Sequence, residues 1–286
     1  MDNIKIGVIG GTGLYQIDEF EDKEMIEIET PFGKPSDKFV VGKLFSQEVV
    51  FLPRHNRKHN LLPTEVNYKA NIWGMKKLGV THLISVTAVG SMKKELEPGN
   101  IVIIDQFIDM TKRRDSSFFG KECVAHVSFA KPLCEEFSEF IFNSAKEVGT
   151  IAHLGGTYIC IEGPSFSTKA ESLLYRSWGV SVIGMTNVTE AKLAKEAELS
   201  MATIALVTDY DCWHEDEADV TADSVMETLS KNSQTAKKIV VNTIKKANDL
   251  NFCSCHDVLS NSLITKMQDV PEKTKSDLAP ILSKYY

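Results

Sequence analysis

The sequence predicts an α/β layered domain, and three observations predict it. Short apolar, β-prone runs alternate with helix-period segments, as layers of strands and helices require. Small or polar residues gather just past the ends of those runs, at Thr12, at Arg54 and His55, at Thr87 and Ala88, at Thr186, and at Asp209 with Asp211. Neither an internal repeat nor a low-complexity linker divides the 286 residues. One domain over residues 1–250 is therefore expected, followed by a peripheral segment, 251–286, in which the pattern fades.

The elements follow in order. Lys5–Ile9 reads as a strand feeding Gly10-Gly11-Thr12-Gly13. The turn lets backbone approach an anion, but no third glycine completes a dinucleotide fingerprint, which argues against NAD. Glu48–Leu52 is a second strand, and Arg54 just beyond it suits a planar fork on phosphate. Pro63 and Thr64 open a helix with Tyr68, Ile72 and Met75 on one face. Leu83–Ser91 is a buried strand whose Thr87, Ala88 and Gly90 leave room for a ligand beside backbone amides. Further strands are read at 101–104 and 155–161, and a helix at 131–148.

Thr168 and Glu171 form one capping box, and Asn187 with Glu190 forms another that opens an Ala-rich helix. Met201–Val207 is apolar enough for a strand covered on both faces. Asp209 and Asp211 stand just past its carboxyl end, where ligands bind in open α/β sheets. A long helix from about Thr221 carries Val225, Leu229, Ala236, Val240 and Ile244 along one face.

A net charge of −7 argues against nucleic acid as the main partner, and no apolar run reaches the ~20 residues of a membrane helix. The start lacks a signal-peptide core, so a cytoplasmic location is expected. Of six cysteines most read as buried small hydrophobes. Cys253-Ser-Cys255-His256 leaves three readings open: incidental thiols, a disulfide, or a metal site whose full ligand set is not visible.

Taken in order, Gly7-Val-Ile-Gly-Gly-Thr-Gly13, Thr30-Pro-Phe-Gly-Lys-Pro-Ser-Asp37, Arg54-His55, Val66-Asn-Tyr-Lys-Ala-Asn-Ile-Trp73, Asp105-Gln-Phe-Ile-Asp109, Ile161-Glu-Gly-Pro164, Gly184-Met-Thr186 and Thr208-Asp-Tyr-Asp-Cys212 carry a resemblance. Over residues 4 to 247 the chain resembles the purine nucleoside phosphorylase superfamily, on its branch that cleaves 5′-methylthioadenosine. The resemblance implies a single-domain fold with a central mixed β-sheet flanked by helices. It implies phosphorolysis with inorganic phosphate as co-substrate, no cofactor and no metal, in a homo-oligomer that is a trimer or a dimer of trimers. Thr12, Arg54, His55, Thr87, Ala88 through its amide, and Thr186 would hold phosphate. Asp209 would supply a proton or strong hydrogen bond to the departing purine, its pKa raised by burial beside Asp211. Asp211 would accept from the 6-amino group or support Asp209. Met185 and Phe166 would pack on the sugar and base, Ser167, Ala222 and Val225 would line the 5′ end, and His126 would reach it from a neighbouring subunit. The Asp105–Arg113 segment and the Cys-x-Cys look like the archaeal thermophilic branch, whose intracellular disulfides would account for Cys253 and Cys255.

Departures from the family pattern are Ser165, where arginine is usual, Lys169, and Thr189 in place of proline. Loss of the arginine would weaken loop anchoring or phosphate affinity. Competing readings are a broader phosphorylase acting on adenosine or inosine, a nucleosidase using water, and a non-catalytic purine-binding protein.

Overall fold

The structure is a computed structural model. It describes residues 4–11, 14, 17–214 and 222–286, and of 222–227 and 229 the backbone alone. The first strands are β1 (Ile6–Gly10), β2 (Glu21–Ile26), β3 (Phe39–Leu44) and β4 (Gln47–Pro53). Next come helix α1 (Tyr68–Lys77), then β5 (His82–Ser91), β6 (Ile101–Ile103), β7 (Gln106–Asp109) and helix α2 (Glu135–Glu147). β8 (Ala152–Leu154), β9 (Thr157–Cys160), α3 (Lys169–Ser177) and β10 (Val182–Gly184) lead to α4 (Asn187–Glu196), β11 (Ser200–Asp209) and the long α5 (Ala222–Lys245).

The described strands form one mixed sheet of eleven strands, as the α/β reading requires. β5 is its hub. β1 and β11 flank it in parallel, and its last residues, Gly90 and Ser91, also pair antiparallel with β10. β4 lies parallel to β1. The carboxyl ends of β4, β1, β5 and β11 therefore share one rim, and the sheet forks there around Gly90. Apolar residues on the two sheet faces segregate into separate cores. One gathers Ile72, Met75, Leu193 and Ala194 of α1 and α4, and the other Phe137, Ile141, Ala236, Val240 and Ile244 of α2 and α5. The face expected for the long helix is buried at Ala236, Val240 and Ile244.

Three local expectations change. The first helix begins at Tyr68, because the Asn67 side chain, not Pro63 or Thr64, caps it by accepting from Ala70 N. Thr186 is the N-cap of α4, so Asn187 and Glu190 make no capping box there. Both side chains are instead buried in a polar network described below. Cys253 and Cys255 form no disulfide, since all six cysteines are free thiols. The Cys253 sulfur faces Cys134 at 3.5 Å, well beyond the ~2.05 Å of a bonded pair.

Beyond residue 250 the chain runs through short 3-10 turns and the helices α6 (Glu272–Asp277) and α7 (Ala279–Leu282). Its Leu259, Val270, Leu278, Ile281 and Leu282 are buried in the core shared with α1 and α4. The Trp73 indole donates to the Asp277 carbonyl at 2.8 Å. Such spaced anchors lack the period of one long helix, which is why the pattern fades in the sequence. No described helix is long and apolar enough to cross a membrane.

Candidate active site

At the shared rim the strand ends surround a cavity of about 830 Å³. Arg54, His55, Thr87, Ala88, Phe166, Ser167, Met185, Thr186, Asp209 and Asp211 all line it. Thr12 lies outside the described residues, and Ala222 and Val225 are described only as backbone in the first turns of α5. His126 is not in this lining. It borders a separate cavity of about 500 Å³ with Phe129, Lys192 and Glu196.

Arg54 follows β4, and its backbone N–H donates to Gly10 O at 2.9 Å, locking it beside the end of β1. Its guanidinium does not fork onto the cavity. It grips Glu190 bidentately, Nε to Oε1 at 2.5 Å and Nη2 to Oε2 at 2.9 Å, and both side chains are almost wholly buried. Nη1 donates to Val86 O at 2.9 Å and Nη2 to Ser85 Oγ at 2.7 Å. Of five N–H donors this leaves one, on Nη1, without a partner among the described residues. A buried guanidinium must be paired, and the carboxylate meets that need. Ser85 and Asn187 also donate to Glu190 Oε2, and Thr203 donates to the Asn187 amide oxygen at 2.9 Å. The network locks α4 to β5, and Glu190's charge cancels Arg54's beside the cavity.

His55 donates Nδ1–H to the Leu61 carbonyl at 2.8 Å. Burial, and after it the neighbouring Arg54 charge, holds its pKa down to about 4. The ring is therefore neutral near pH 7, with Nε2 an acceptor. Arg57, two residues further in this basic run, grips Asp37 bidentately at 2.7–3.1 Å and serves the loop. Thr87 and Thr186 are buried hydroxyl residues on the wall. Thr186 makes no side-chain cap bond, so the positive end of α4 meets the cavity there without a side-chain acceptor.

Asp209 and Asp211 owe their placement to a bulge. The register of β11 on β5 slips between Val207 and Asp209, so Val207 faces Val89 and Asp209 faces Gly90. Gly90 is needed here, because a Cβ on it would lie 2.9 Å from Asp209 Oδ1 and 3.0 Å from Ile183 Cγ2. Asp209 accepts from Thr208 Oγ1 at 2.7 Å and from the Asp211 backbone N–H at 2.8 Å. Burial pushes its pKa up against those two hydrogen bonds. Asp211 acts on Asp209 through its backbone N–H, a hydrogen bond that lowers the pKa and is outweighed by burial. Asp211 sits at φ 53°, accepts from Ser172 Oγ, and is raised by burial first, with the Asp209 charge adding to it.

The Ser167 hydroxyl, also on the lining, is buried with no hydrogen-bond partner among the described residues. Phe166 is 46% exposed and free to lie on a ligand. Arg114, which the sequence does not set apart from the adjacent Lys112 and Arg113, has a side chain only 3% exposed. It donates to Glu162 Oε1 at 2.9 Å, Glu162 O at 2.8 Å, Met185 O at 3.1 Å and Tyr68 Oη at 2.6 Å. Loop 162–164 thus has its own arginine anchor although Ser165 supplies none. A run of adjacent charges carries no sign of which one turns inward. Glu190 was likewise legible only as a helix-start acid.

A family model described as the Phosphorylase superfamily matches residues 5–245, which defines the class of this fold and cavity. An S-methyl-5′-thioadenosine phosphorylase of Geobacter sulfurreducens is 54% identical over 98% of both chains. One from Chloroflexus aurantiacus is 46% identical over the whole of both. Among solved structures, a methylthioadenosine phosphorylase from an antarctic soil metagenomic library superposes with a TM-score of 0.94 at 44% identity, covering 99% of this chain and 100% of that one. A methylthioadenosine phosphorylase from Schistosoma mansoni in complex with adenine reaches 0.84 at 32% identity, covering 98% of each. The chain belongs to the S-methyl-5′-thioadenosine phosphorylase family of this superfamily.

Proposed function

We propose that the protein catalyses phosphorolysis of S-methyl-5′-thioadenosine, the activity its relatives' names carry. A phosphate oxygen bonds to the anomeric carbon, the bond to adenine N9 breaks, and adenine leaves with a proton at N7. The other product is 5-methylthioribose 1-phosphate. Phosphate is a co-substrate, and the scheme needs no cofactor.

The observation that carries this reading is one cavity whose lining combines two buried carboxyl groups with a set of hydrogen-bond donors. Asp209, with its pKa raised by burial, is suited to hold the proton that the leaving purine requires. Asp211, whose carboxylate already accepts from Ser172, orients Asp209 through its amide and has further acceptor capacity for a 6-amino group. On the same lining, Thr87, the Ala88 amide, Thr186 at the start of α4 and the last N–H of Arg54 form the phosphate cradle, with Thr12 as a further donor. Because Glu190 neutralises Arg54, that cradle relies on hydrogen-bond donors more than on net charge. Neutral His55 complements it, since Nε2 can accept the hydrogen bond that the O–H of monohydrogen phosphate donates.

Phe166 and Met185 pack on base and ribose. By the family resemblance Ser167, Ala222 and Val225 would line the methylthio end, and of these only Ser167 has a described side chain. His126 would complete the 5′ end of a neighbouring site in a trimer or dimer of trimers. That assembly is consistent with the separate cavity His126 borders. The family match over 5–245 supports residues 1–250 as the phosphorylase domain, with 251–286 wrapped onto it.

Adenine release from methylthioadenosine, adenosine and inosine, each with and without phosphate, tests the assignment. Phosphate-dependent release, strongest for methylthioadenosine and poor for inosine, is expected. Equal release without phosphate would make the protein a nucleosidase.

A further inference from the structure

At the opposite rim, where β5 and β11 begin, three thiols meet that the reaction does not use. The sulfurs of Cys134, Cys253 and Cys255 all lie within 4.8 Å of one another, and Cys134 and Cys253 approach to 3.5 Å. They come from two distant parts of the chain, the N-cap of α2 and the turn that opens the C-terminal segment. Three thiolates around one d10 cation with metal–sulfur bonds of ~2.3 Å would stand roughly 4 Å apart, so only small shifts separate this cluster from a bound geometry. A disulfide would use two sulfurs and leave the third unexplained.

We infer that these three cysteines form a binding site for one soft d10 cation, copper(I), which clamps the C-terminal segment to the start of α2. Ligand number favours copper(I) over zinc. Structural zinc takes four protein ligands, whereas among the described residues only these three sulfurs form a mutually close group, the Glu136 carboxylate standing 3.9 Å from the Cys134 sulfur as a hydrogen-bond acceptor. His256 Nδ1, 3.7 Å from the Cys253 sulfur, is already the acceptor for the Cys253 N–H at 3.1 Å. Lys195 Nζ stands 3.9 Å from the Cys255 sulfur and Ser200 Oγ 3.8 Å from that of Cys253, able to offset and hydrogen-bond thiolate charge. Cys134 and Cys255 are buried while Cys253 is partly exposed, which gives the ion a way in. Binding displaces the thiol protons and involves no change of oxidation state.

The test uses the full chain, reduced and free of oxygen, competing for copper(I) with bicinchoninate. One equivalent withdrawn from the chelator is expected, with a higher Tm and unchanged turnover in the reactive cavity. Cys253→Ser, at the most accessible ligand, should bind about tenfold or more weakly, lose the Tm gain and keep its basal activity. Cys255→Ser should behave alike, which separates loss of a ligand from a local fault at 253. No withdrawal by the wild type, or equal withdrawal by both variants, overturns the inference. Tighter retention of zinc than of copper(I), or a thiol pair that oxidises and leaves no copper uptake after reduction, also overturns it.

Discussion

Glu190→Gln tests the claim that the phosphate-side arginine is held by a carboxylate and not aimed at the ligand. The two side chains are 4% and 1% exposed, so solvent cannot replace what is removed. Breaking a buried pair from one side costs about 3–5 kcal/mol, because the surviving charge stays buried without a counter-charge. Glutamine keeps the shape and one acceptor oxygen for the guanidinium, but its NH2 now faces donors from Arg54, Ser85 and Asn187. The lower end, about 3 kcal/mol, is therefore expected. At about 2–4 °C per kcal/mol for a large domain, this lowers Tm by roughly 6–12 °C. The assay is thermal unfolding with and without phosphate, since phosphate should supply the missing negative charge. Its stabilising effect should be larger in the variant than in the wild type. Replacing both partners, Arg54→Met with Glu190→Leu, should recover much of the Tm and none of the phosphorolysis. A Glu190→Gln Tm within about 2 °C of wild type, a shift worth at most about 1 kcal/mol, would refute the reasoning. So would equal stabilisation of both forms by phosphate.

Asp209→Asn should lower kcat/KM for methylthioadenosine by about 10²–10⁴-fold, and the fall of wild-type activity as Asp209 deprotonates at rising pH should vanish from the variant's profile. In Gly90→Ala the new Cβ presses on Asp209 Oδ1 and Ile183, so activity should drop by more than about tenfold for a stability cost of only about 1–3 kcal/mol, read from a denaturant titration. Arg114→Ala removes the arginine's hold on Glu162 Oε1 and on the Glu162 and Met185 carbonyls, so KM for the nucleoside should rise while Tm falls by a few degrees. His55 and His82 both have pKa values lowered to about 4 by burial, against an ordinary 6.5. Between those values the unfolded chain binds more protons than the folded one, so stability is full above about 6.5 and is lost as pH falls towards 4. Tm measured from pH 7.5 to 4.5 should decline across that window, and His82→Gln should flatten part of the decline.

What the sequence revealed and what it concealed divide along a physical line. Strands such as β5 and β11 are legible because both faces are buried, so the run of apolar residues is continuous and its end is abrupt. That abrupt end is also why Thr87, Asp209 and Asp211 stand out as site residues. β2 escapes notice because its residues Glu21–Met25 are exposed, leaving no apolar run to read. Glu190 and Asn187 match a capping box by spacing, but spacing knows only local partners. Arg54 arrives from 136 residues away, and burial gives the ion pair priority over the helix end. Arg114 shows the same limit from the other side, since Lys112, Arg113 and Arg114 are alike as a string and differ in which side chain turns inward to Glu162 and two carbonyls. The bulge at Thr208 is equally silent, yet without its extra residue Asp209 would point to the other face of the sheet. The chemistry of this cavity therefore rests on non-local constraints, a buried carboxylate for Arg54 and a missing Cβ for Asp209, that fix residues whose types alone had already suggested an anion and an acid.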